Sequence, residues 1–159
     1  MIKEATYLKS ANPRVPEASH PFRHKVDVQT RFADIDMLGH VNNNAYLSYM
    51  DLGKMDYFRA ISGGEFSVND LRAVIVNVTC DFYEPSYLSE QLQVWTSVTH
   101  IGNRSFVVEQ RIVDAESGAT KCIGRTTLAG FDPKTGRGAD LDEWLVEMTC
   151  KFEGISRKK

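Results

Sequence analysis

The segment from Asp34 to Asn43 combines residue types that could hydrolyse an activated acyl group. It reads Asp-Ile-Asp-Met-Leu-Gly-His-Val-Asn-Asn, so two carboxylates and an imidazole stand directly before a predicted helix. The first turn of a helix offers unpaired backbone N–H groups and the positive end of the helix dipole. These groups would polarise a thioester carbonyl as it becomes an oxyanion. A carboxylate beside that carbonyl could attack it or activate a water molecule for the attack.

A purely structural role is the alternative for the same residues, because Asp and Asn directly before a helix commonly cap it. The sequence contains no other catalytic signature. It has no G-x-S-x-G elbow, no G-x-x-x-x-G-K-[ST] loop, no G-x-G-x-x-G and no C-x-x-C, and its histidines lack zinc-binding spacing. Serine-hydrolase, nucleotide-binding and zinc chemistry are therefore weakly supported.

A long helix is predicted from Asn44 to Ile61, with Asn42 or Asn43 as its N-cap. Its apolar side chains cover an arc about half the circumference wide, which predicts a deeply buried helix. Gly53 lies in the middle of this arc. Since a glycine there costs about 1 kcal/mol of helix propensity, we expect the backbone to approach a sheet closely at this position.

Alternating apolar side chains predict five strands around this helix. The strands lie near residues 24–31, 74–82, 92–98, 106–112 and 122–131, and a short final helix follows, capped by Asp140 or Asp142. This order predicts an α+β fold in which one antiparallel sheet wraps around one long helix. Such an arrangement leaves the outer sheet face, or a sheet edge, for another copy of the chain to cover.

The stretch from Arg31 to Tyr46 resembles the signature of hot-dog-fold acyl thioesterases of the 4-hydroxybenzoyl-CoA thioesterase and acyl-ACP thioesterase type. In that family the motif D-x-D-x-x-G-H-V-N-N-x-x-Y leads into the central helix, and this sequence carries it in full. The resemblance extends to the strand order, to the turn at 101–105 and to Asp132-Pro133. It implies a five-stranded hot-dog domain over residues 24–152, with a lead-in at 1–23 and a tail at 153–159.

The resemblance also implies roles for individual residues. Asp36, the second aspartate of the motif, corresponds to the catalytic carboxylate, and His40 matches a histidine found in many members. Asn43 corresponds to the residue whose backbone N–H polarises the thioester carbonyl. The acyl-ACP branch has an asparagine two residues after the aspartate, where this chain has Leu38. That departure favours acyl-CoA over acyl-ACP as the substrate.

Three further polar residues could contribute to the site, and for Asp51 and Asn77 two interpretations are open. A second hot-dog branch places its carboxylate inside the helix, about two turns after the polarising N–H, and Asp51 fits that position. In the other interpretation, which we favour, Asp51 is a polar residue at the edge of the apolar arc without a catalytic role. Asp34 is expected to orient the loop. Asn77 either lines the site from a facing subunit or pairs with a neighbouring strand.

The leading hypothesis is an acyl-CoA thioesterase, a thioester hydrolase that releases a free acid and CoA without a metal or an organic cofactor. One alternative is a hydratase or dehydratase acting on acyl thioesters, with His40 and Asp51 on opposite sides of the acyl chain. Another is a non-catalytic subunit that binds acyl thioesters, which Asp36 disfavours because a charge beside an apolar tunnel is costly. The family resemblance implies a homodimer or homotetramer, with sites at the dimer interface.

The composition fits one globular domain of 159 residues. A total of 19 basic and 21 acidic residues gives a net charge of −2, which is a poor basis for binding nucleic acid. No run of about 18 apolar residues occurs, so we expect no membrane span, and the first 21 residues do not resemble a secretory signal. The three widely spaced cysteines favour a reducing, cytoplasmic compartment.

Overall fold

One antiparallel sheet forms the framework of the computed structural model, which describes residues 4–159. Its five long strands are β1 His24–Val28, β2 Ala73–Phe82, β3 Leu92–Ile101, β4 Ser105–Asp114 and β5 Thr120–Asp132, in the spatial order β1-β3-β4-β5-β2. The two-residue strand β6, Arg137–Gly138, pairs with the end of β5. The helices are α1 Asn43–Ile61 and α2 Glu143–Glu153, and short 3-10 helices span Phe32–Asp34 and Val68–Asp70. The predicted α+β architecture is confirmed, and β6 adds a short strand to the five that were predicted.

The long helix α1 packs against β1, β3 and β4. Asn42 is its N-cap, and the Asn42 side-chain oxygen accepts a hydrogen bond from the Asn44 N–H at 2.9 Å. A Cβ added to Gly53 would lie 2.6 Å from Val94 Cγ1 and 2.8 Å from Gln110 Nε2. The predicted close approach of α1 to the sheet at Gly53 is therefore confirmed.

The apolar core is divided between the two halves of α1. Around the C-terminal half, Tyr57 and Phe58 pack with residues of β3, β4, β5 and α2. Around the N-terminal half, Tyr46, Tyr49 and Met50 pack with residues of β1, β3, β4 and β5. Since α2 joins only the first cluster, the C-terminal half of α1 is enclosed on more sides.

The outer face of the sheet is partly covered by the residues that precede β1. Phe22 is fully buried against Trp95 and Val113, and the backbones of Thr6 and Phe22 exchange two hydrogen bonds of 2.8 Å. Arg111, also buried on this face, donates from Nη1 to the Pro16 carbonyl at 2.9 Å. The chain itself thus covers part of the surface that the sequence left open for another copy.

The strand β2 is an edge of the sheet, because it pairs only with β5. Its apolar side chains are largely exposed; they are Val74, Ile75, Val76, Val78 and Phe82. The pairing register shifts between Ile75 and Asn77, which is the sign of a β-bulge. This long apolar edge differs from β1, the five-residue strand at the other edge, which carries Lys25 and Asp27.

No helix in the described part of the chain has the length and apolar character that crossing a membrane requires.

Candidate active site

The loop before α1 forms a tight turn that holds Asp36 and His40 side by side. The Asp36 N–H donates to the His40 carbonyl at 2.9 Å, and the Gly39 N–H donates to the Asp36 carbonyl at 3.0 Å. Gly39 adopts a φ of 80°, in the left-handed region that glycine tolerates best. The turn therefore requires the glycine of the sequence motif, and it brings the two predicted site residues together.

Asp34 is buried and anchors this loop. Its carboxylate accepts hydrogen bonds from the Arg31 N–H at 2.9 Å, from Arg31 Nη2 at 3.0 Å and from the Tyr49 hydroxyl at 2.7 Å. Burial alone would raise the pKa of Asp34, but the hydrogen bonds from Arg31 and Tyr49 outweigh it, so the pKa is lowered. Burial and the same hydrogen bond raise the pKa of Tyr49 to about 12. This geometry supports the expectation that Asp34 orients the loop.

Asp36, two residues further on, is only half-buried and has a free oxygen. Its Oδ1 accepts the Leu38 N–H at 2.9 Å. No donor within residues 4–159 lies within hydrogen-bond distance of its Oδ2. Of the two aspartates in the motif, Asp36 is the one whose carboxylate remains available to a substrate or a water molecule.

The start of α1 leaves one backbone donor unused. The Asn42 N–H donates to the Asp34 carbonyl at 2.7 Å, and the Val41 N–H donates to the Ser86 carbonyl at 2.8 Å. The Asn43 N–H, the first of the helix, has no acceptor among the residues that the structure describes. An N–H at this position is suited to bind a developing negative charge.

These groups border one open cleft of about 500 Å³. Its lining comes from the loop, the start of α1 and the segment that follows β2; the residues are Asp36, Leu38, His40, Val41, Asn42, Asn43, Tyr46, Phe82, Tyr83, Glu84 and Pro85. The cleft thus brings together all three residues of the predicted site, Asp36, His40 and Asn43. An acyl thioester entering it would meet a carboxylate, an imidazole and a free N–H.

The far wall of the cleft, Tyr83 to Pro85, and the segment 86–90 that continues from it were not predicted from the sequence. The Tyr46 hydroxyl donates to Ser86 Oγ at 2.8 Å, and the His40 ring meets the Tyr87 ring edge to face at 5.2 Å. Lys121 is buried beneath this wall, where its ammonium contacts Glu90 Oε2 at 2.7 Å and the Pro85 carbonyl at 3.1 Å. The sequence signal that could have indicated this wall is Lys121, a lysine inside a predicted strand and next to the apolar Cys122.

Two other predicted candidates lie outside the cleft lining. Asp51 is exposed, and its Oδ1 lies 2.9 Å from the ammonium of Lys54. Asn77 is exposed on β2 opposite Thr127, directly after the bulge. Within residues 4–159, no group of three or more His, Cys, Asp and Glu side chains is placed to hold a metal ion.

Comparison with known proteins relates this site to a family. The family model of the thioesterase-like superfamily matches residues 30–148. The long-chain acyl-CoA thioesterase FadM of Escherichia coli (strain K12) is 22% identical over 124 residues, which cover 77% of this chain and 94% of that protein. A thioesterase from Thermus thermophilus, solved in complex with coenzyme A and Zn, is 31% identical with a TM-score of 0.73 and covers 84% of this chain and 96% of that one.

A further solved structure supports the fold. The 1,4-dihydroxy-2-naphthoyl-CoA thioesterase Slr0204 from Synechocystis has a TM-score of 0.70 at 21% identity and covers 79% of this chain and 94% of that one. The similarity to these thioesterases confirms the predicted hot-dog fold. Since the family model matches well over half of its length, the chain belongs to the thioesterase-like superfamily.

Proposed function

We propose that the protein hydrolyses acyl-CoA thioesters to a free acid and CoA, with Asp36 as the catalytic carboxylate. The observation that carries the proposal is the unused Asn43 N–H in the same cleft as the free Oδ2 of Asp36. A relative named long-chain acyl-CoA thioesterase and a similar structure solved with coenzyme A support the choice of substrate class. No metal or organic cofactor is needed for this reaction.

In the proposed reaction the thioester carbonyl oxygen accepts the Asn43 N–H, which stabilises the oxyanion of the tetrahedral intermediate. Asp36 either removes a proton from the attacking water or attacks the carbonyl carbon itself, forming an anhydride that water then opens. In both routes the carbon–sulfur bond breaks, a bond from carbon to a water-derived oxygen forms, and the thiolate of CoA takes up a proton. His40 holds the water or the thioester by hydrogen bonds from the opposite end of the turn.

The position of Asp51 favours hydrolysis over hydration. A hydratase would need His40 and Asp51 on opposite sides of one acyl chain. Asp51 is absent from the cleft lining, and its carboxylate pairs with Lys54 instead. Hydrolysis uses only groups that border the cleft.

Release of free thiol from acyl-CoAs of varied length and ring content tests the proposal. Asp36→Asn keeps the size and the Leu38 hydrogen bond, and it should reduce kcat by about 10²- to 10⁴-fold because the carboxylate is lost. Asp51→Asn is the matched control and should keep near wild-type turnover. Full activity in folded Asp36→Asn would refute the assignment, and hydration of an enoyl-CoA without thiol release would refute the reaction.

We also propose a homodimer in which two copies join along β2. The edge strand has ten residues, with apolar side chains exposed on both faces, and such an edge is a ready template for pairing with another strand. The segment after β2 lines the cleft, so a partner on this edge would complete the site. Part of the outer sheet face is already covered by the residues before β1, which favours the dimer over a tetramer built on that face.

Sedimentation at micromolar concentration tests the assembly. The wild type should sediment as a dimer, and Val76→Lys, which places a charge on the exposed edge, should shift it toward the monomer of 17.9 kDa. Tyr7→Lys changes an exposed apolar residue away from β2 and serves as the control. A fully active wild-type monomer would contradict the proposal.

A reducing compartment such as the cytoplasm is proposed as the location. Its support is that Cys80, Cys122 and Cys150 are all free thiols in the structure. Disulfides are rare in reducing compartments and common in oxidising ones.

A further inference from the structure

Ser86 joins the wall of the cleft to the start of α1. It directly follows Pro85, a wall residue that lines the cleft, and it is fully buried. Its carbonyl accepts the Val41 N–H at 2.8 Å, and its Oγ accepts a hydrogen bond from the Tyr46 hydroxyl at 2.8 Å. Val41 lies two residues before Asn43, and Tyr46 lies three residues after it. The two bonds therefore hold the chain on both sides of the proposed oxyanion donor.

The other hydrogen bonds of the site loop do not connect it to the wall. They join the loop to itself, to the residues just before it and to α1. Within residues 4–159, both hydrogen bonds between segment 34–46 and segment 83–90 end on Ser86. These two bonds therefore set the position of the Asn43 N–H relative to the wall.

Lys121 fixes the peptide bond that carries Ser86. The ammonium of this buried residue donates to the Pro85 carbonyl at 3.1 Å and pairs with Glu90 Oε2 at 2.7 Å. The Pro85 carbonyl belongs to the peptide bond between Pro85 and Ser86. The Lys121 carbonyl also accepts the Tyr83 N–H at 2.9 Å. Since hydrogen bonds from a charged donor are stronger than neutral ones, β5 holds this segment in place, and Ser86 transmits its position to α1.

A fixed separation between the wall and the start of α1 matters for the proposed reaction. An oxyanion donor must lie about 2.7–3.1 Å from the position of the oxyanion, and a misplacement of about 1 Å can lower the rate ~10²-fold. The Asn43 N–H lies on one side of the cleft, and Tyr83 to Pro85 form the other. An acyl thioester held between them meets the donor at the required distance only if the two sides keep their separation.

We propose that Ser86 is a positioning residue for thioester hydrolysis, whose two hydrogen bonds hold the Asn43 N–H at the distance from the wall that oxyanion binding requires. The inference rests on the proposed thioesterase function and adds a residue that does not itself line the cleft. Ser86 takes no part in bond formation or proton transfer and acts through Val41 and Tyr46. Burial raises the pKa of the Tyr46 hydroxyl, which therefore keeps the proton that it donates at neutral pH.

Ser86→Ala and Tyr46→Phe test the inference, because each removes the hydroxyl bond and little else. Both should lower kcat about 10-fold and leave KM within about 2-fold, since an interaction made only in the transition state affects kcat and kcat/KM equally. The double variant should be no slower than either single variant, because both substitutions break the same bond. Tyr57→Phe is the control: it removes another buried hydroxyl bond, to Glu153, from the C-terminal half of α1 and should leave kcat unchanged.

A double variant links Ser86 to the Asn43 donor. Asn43→Pro removes the N–H itself, so adding Ser86→Ala to it should lower kcat no further. Two independent effects would instead multiply, and a multiplied loss would overturn the inference. A wild-type kcat in Ser86→Ala, or a raised KM with unchanged kcat, would overturn it as well.

Hydrogen exchange of the Val41 amide gives a readout that does not depend on turnover. Exchange requires local opening of its bond to the Ser86 carbonyl. It should be about 3- to 10-fold faster in Ser86→Ala and Tyr46→Phe, the equivalent of one lost hydrogen bond, and unchanged in Tyr57→Phe. Unchanged exchange in the first two variants would contradict the inference. If the wild type releases no thiol from any acyl-CoA, the proposed function fails, and exchange at Val41 still decides whether Ser86 fixes the start of α1.

Discussion

The two halves of α1 have the same predicted apolar face and yet lie in different surroundings. In the C-terminal half, Tyr57 and Phe58 are fully buried, and Phe58 packs against the rings of Phe66 and Phe106. In the N-terminal half Leu47 is 42% exposed, and the adjoining loop exposes further apolar side chains. The comparison indicates that the C-terminal half contributes more to the closed core, whereas the N-terminal half and its loop leave apolar surface exposed.

Each half of α1 also contacts one buried carboxylate of another element, Tyr49 contacting Asp34 and Tyr57 contacting Glu153, and the pKa values of these two carboxyl groups shift in opposite directions. Burial raises the pKa of Glu153, although Tyr57, Val98 and Ser97 all donate hydrogen bonds to it. The pKa of Asp34 is lowered despite its burial, because it also pairs with the Arg31 guanidinium. Asp34, which anchors the site loop, is therefore paired with a guanidinium, whereas Glu153, which joins α2 to α1, accepts hydrogen bonds from neutral donors.

After Asp36→Asn, Asn43→Pro should have the largest effect on turnover, with almost no effect on folding. Proline is favoured at the first position of a helix, and Asn42 already has the extended backbone, φ −63° and ψ 142°, that precedes a proline comfortably. The substitution removes only the N–H. We expect kcat to fall about 10²- to 10³-fold, as for loss of one oxyanion donor, with an unchanged midpoint of thermal unfolding.

Two further variants separate the backbone of Asn43 from neighbouring side chains. Asn43→Ala keeps the N–H and should retain most of the activity, whereas His40→Ala should lose more. If Asn43→Ala is as damaging as Asn43→Pro, the side chain matters and the role given to the backbone donor is wrong.

Phe58→Ala should have the largest effect on stability, because it removes a fully buried ring from the C-terminal half. Truncation of a buried Phe typically lowers the free energy of unfolding by about 3–5 kcal/mol. Leu47→Ala, in the N-terminal half, should stay within about 0.5 kcal/mol of the wild type, as is usual for exposed sites. Denaturant unfolding measures both, and equal losses would contradict the difference between the two halves.

The buried carboxylates should give opposite slopes of stability against pH. The contribution of Glu153 is fully present below its unfolded pKa and is lost as pH rises through its raised folded pKa. The contribution of Asp34 is present above its unfolded pKa and is lost as pH falls through its lowered folded pKa. Each pH unit between folded and unfolded pKa changes the free energy of unfolding by about 1.4 kcal/mol.

Glu153→Gln and Asp34→Asn test these slopes separately. In urea unfolding between pH 3 and 7, the stability of Glu153→Gln should no longer decrease as the pH rises toward 7. The stability of Asp34→Asn should no longer show the part of the decrease toward pH 3 that Asp34 causes. If either variant has the pH dependence of the wild type, the pKa direction given for that carboxylate is wrong.

The sequence predicted those parts of the fold and site that depend on residues near each other in the chain. The apolar period of α1 and the cap at Asn42 are local, so each has its own signal. The contact between Tyr46 and Ser86 joins residues 40 positions apart, and the burial of Lys121 beneath residues 83–90 is equally non-local.

Asn42→Ala should have a small effect on both stability and turnover, and it tests how the N-terminal half of α1 positions the site. The Asn42 side chain accepts the Asn44 N–H, while its backbone N–H donates to Asp34. Alanine removes only the first bond, so the free energy of unfolding should fall by about 1 kcal/mol, the usual value for an N-cap. Because the backbone bond to Asp34 still positions the start of α1, kcat should fall no more than a few-fold. A much larger loss of kcat, with stability lowered by about 1 kcal/mol, would mean that the cap itself positions the Asn43 donor. Thermal unfolding and thiol release, measured on the same preparation, distinguish the two results.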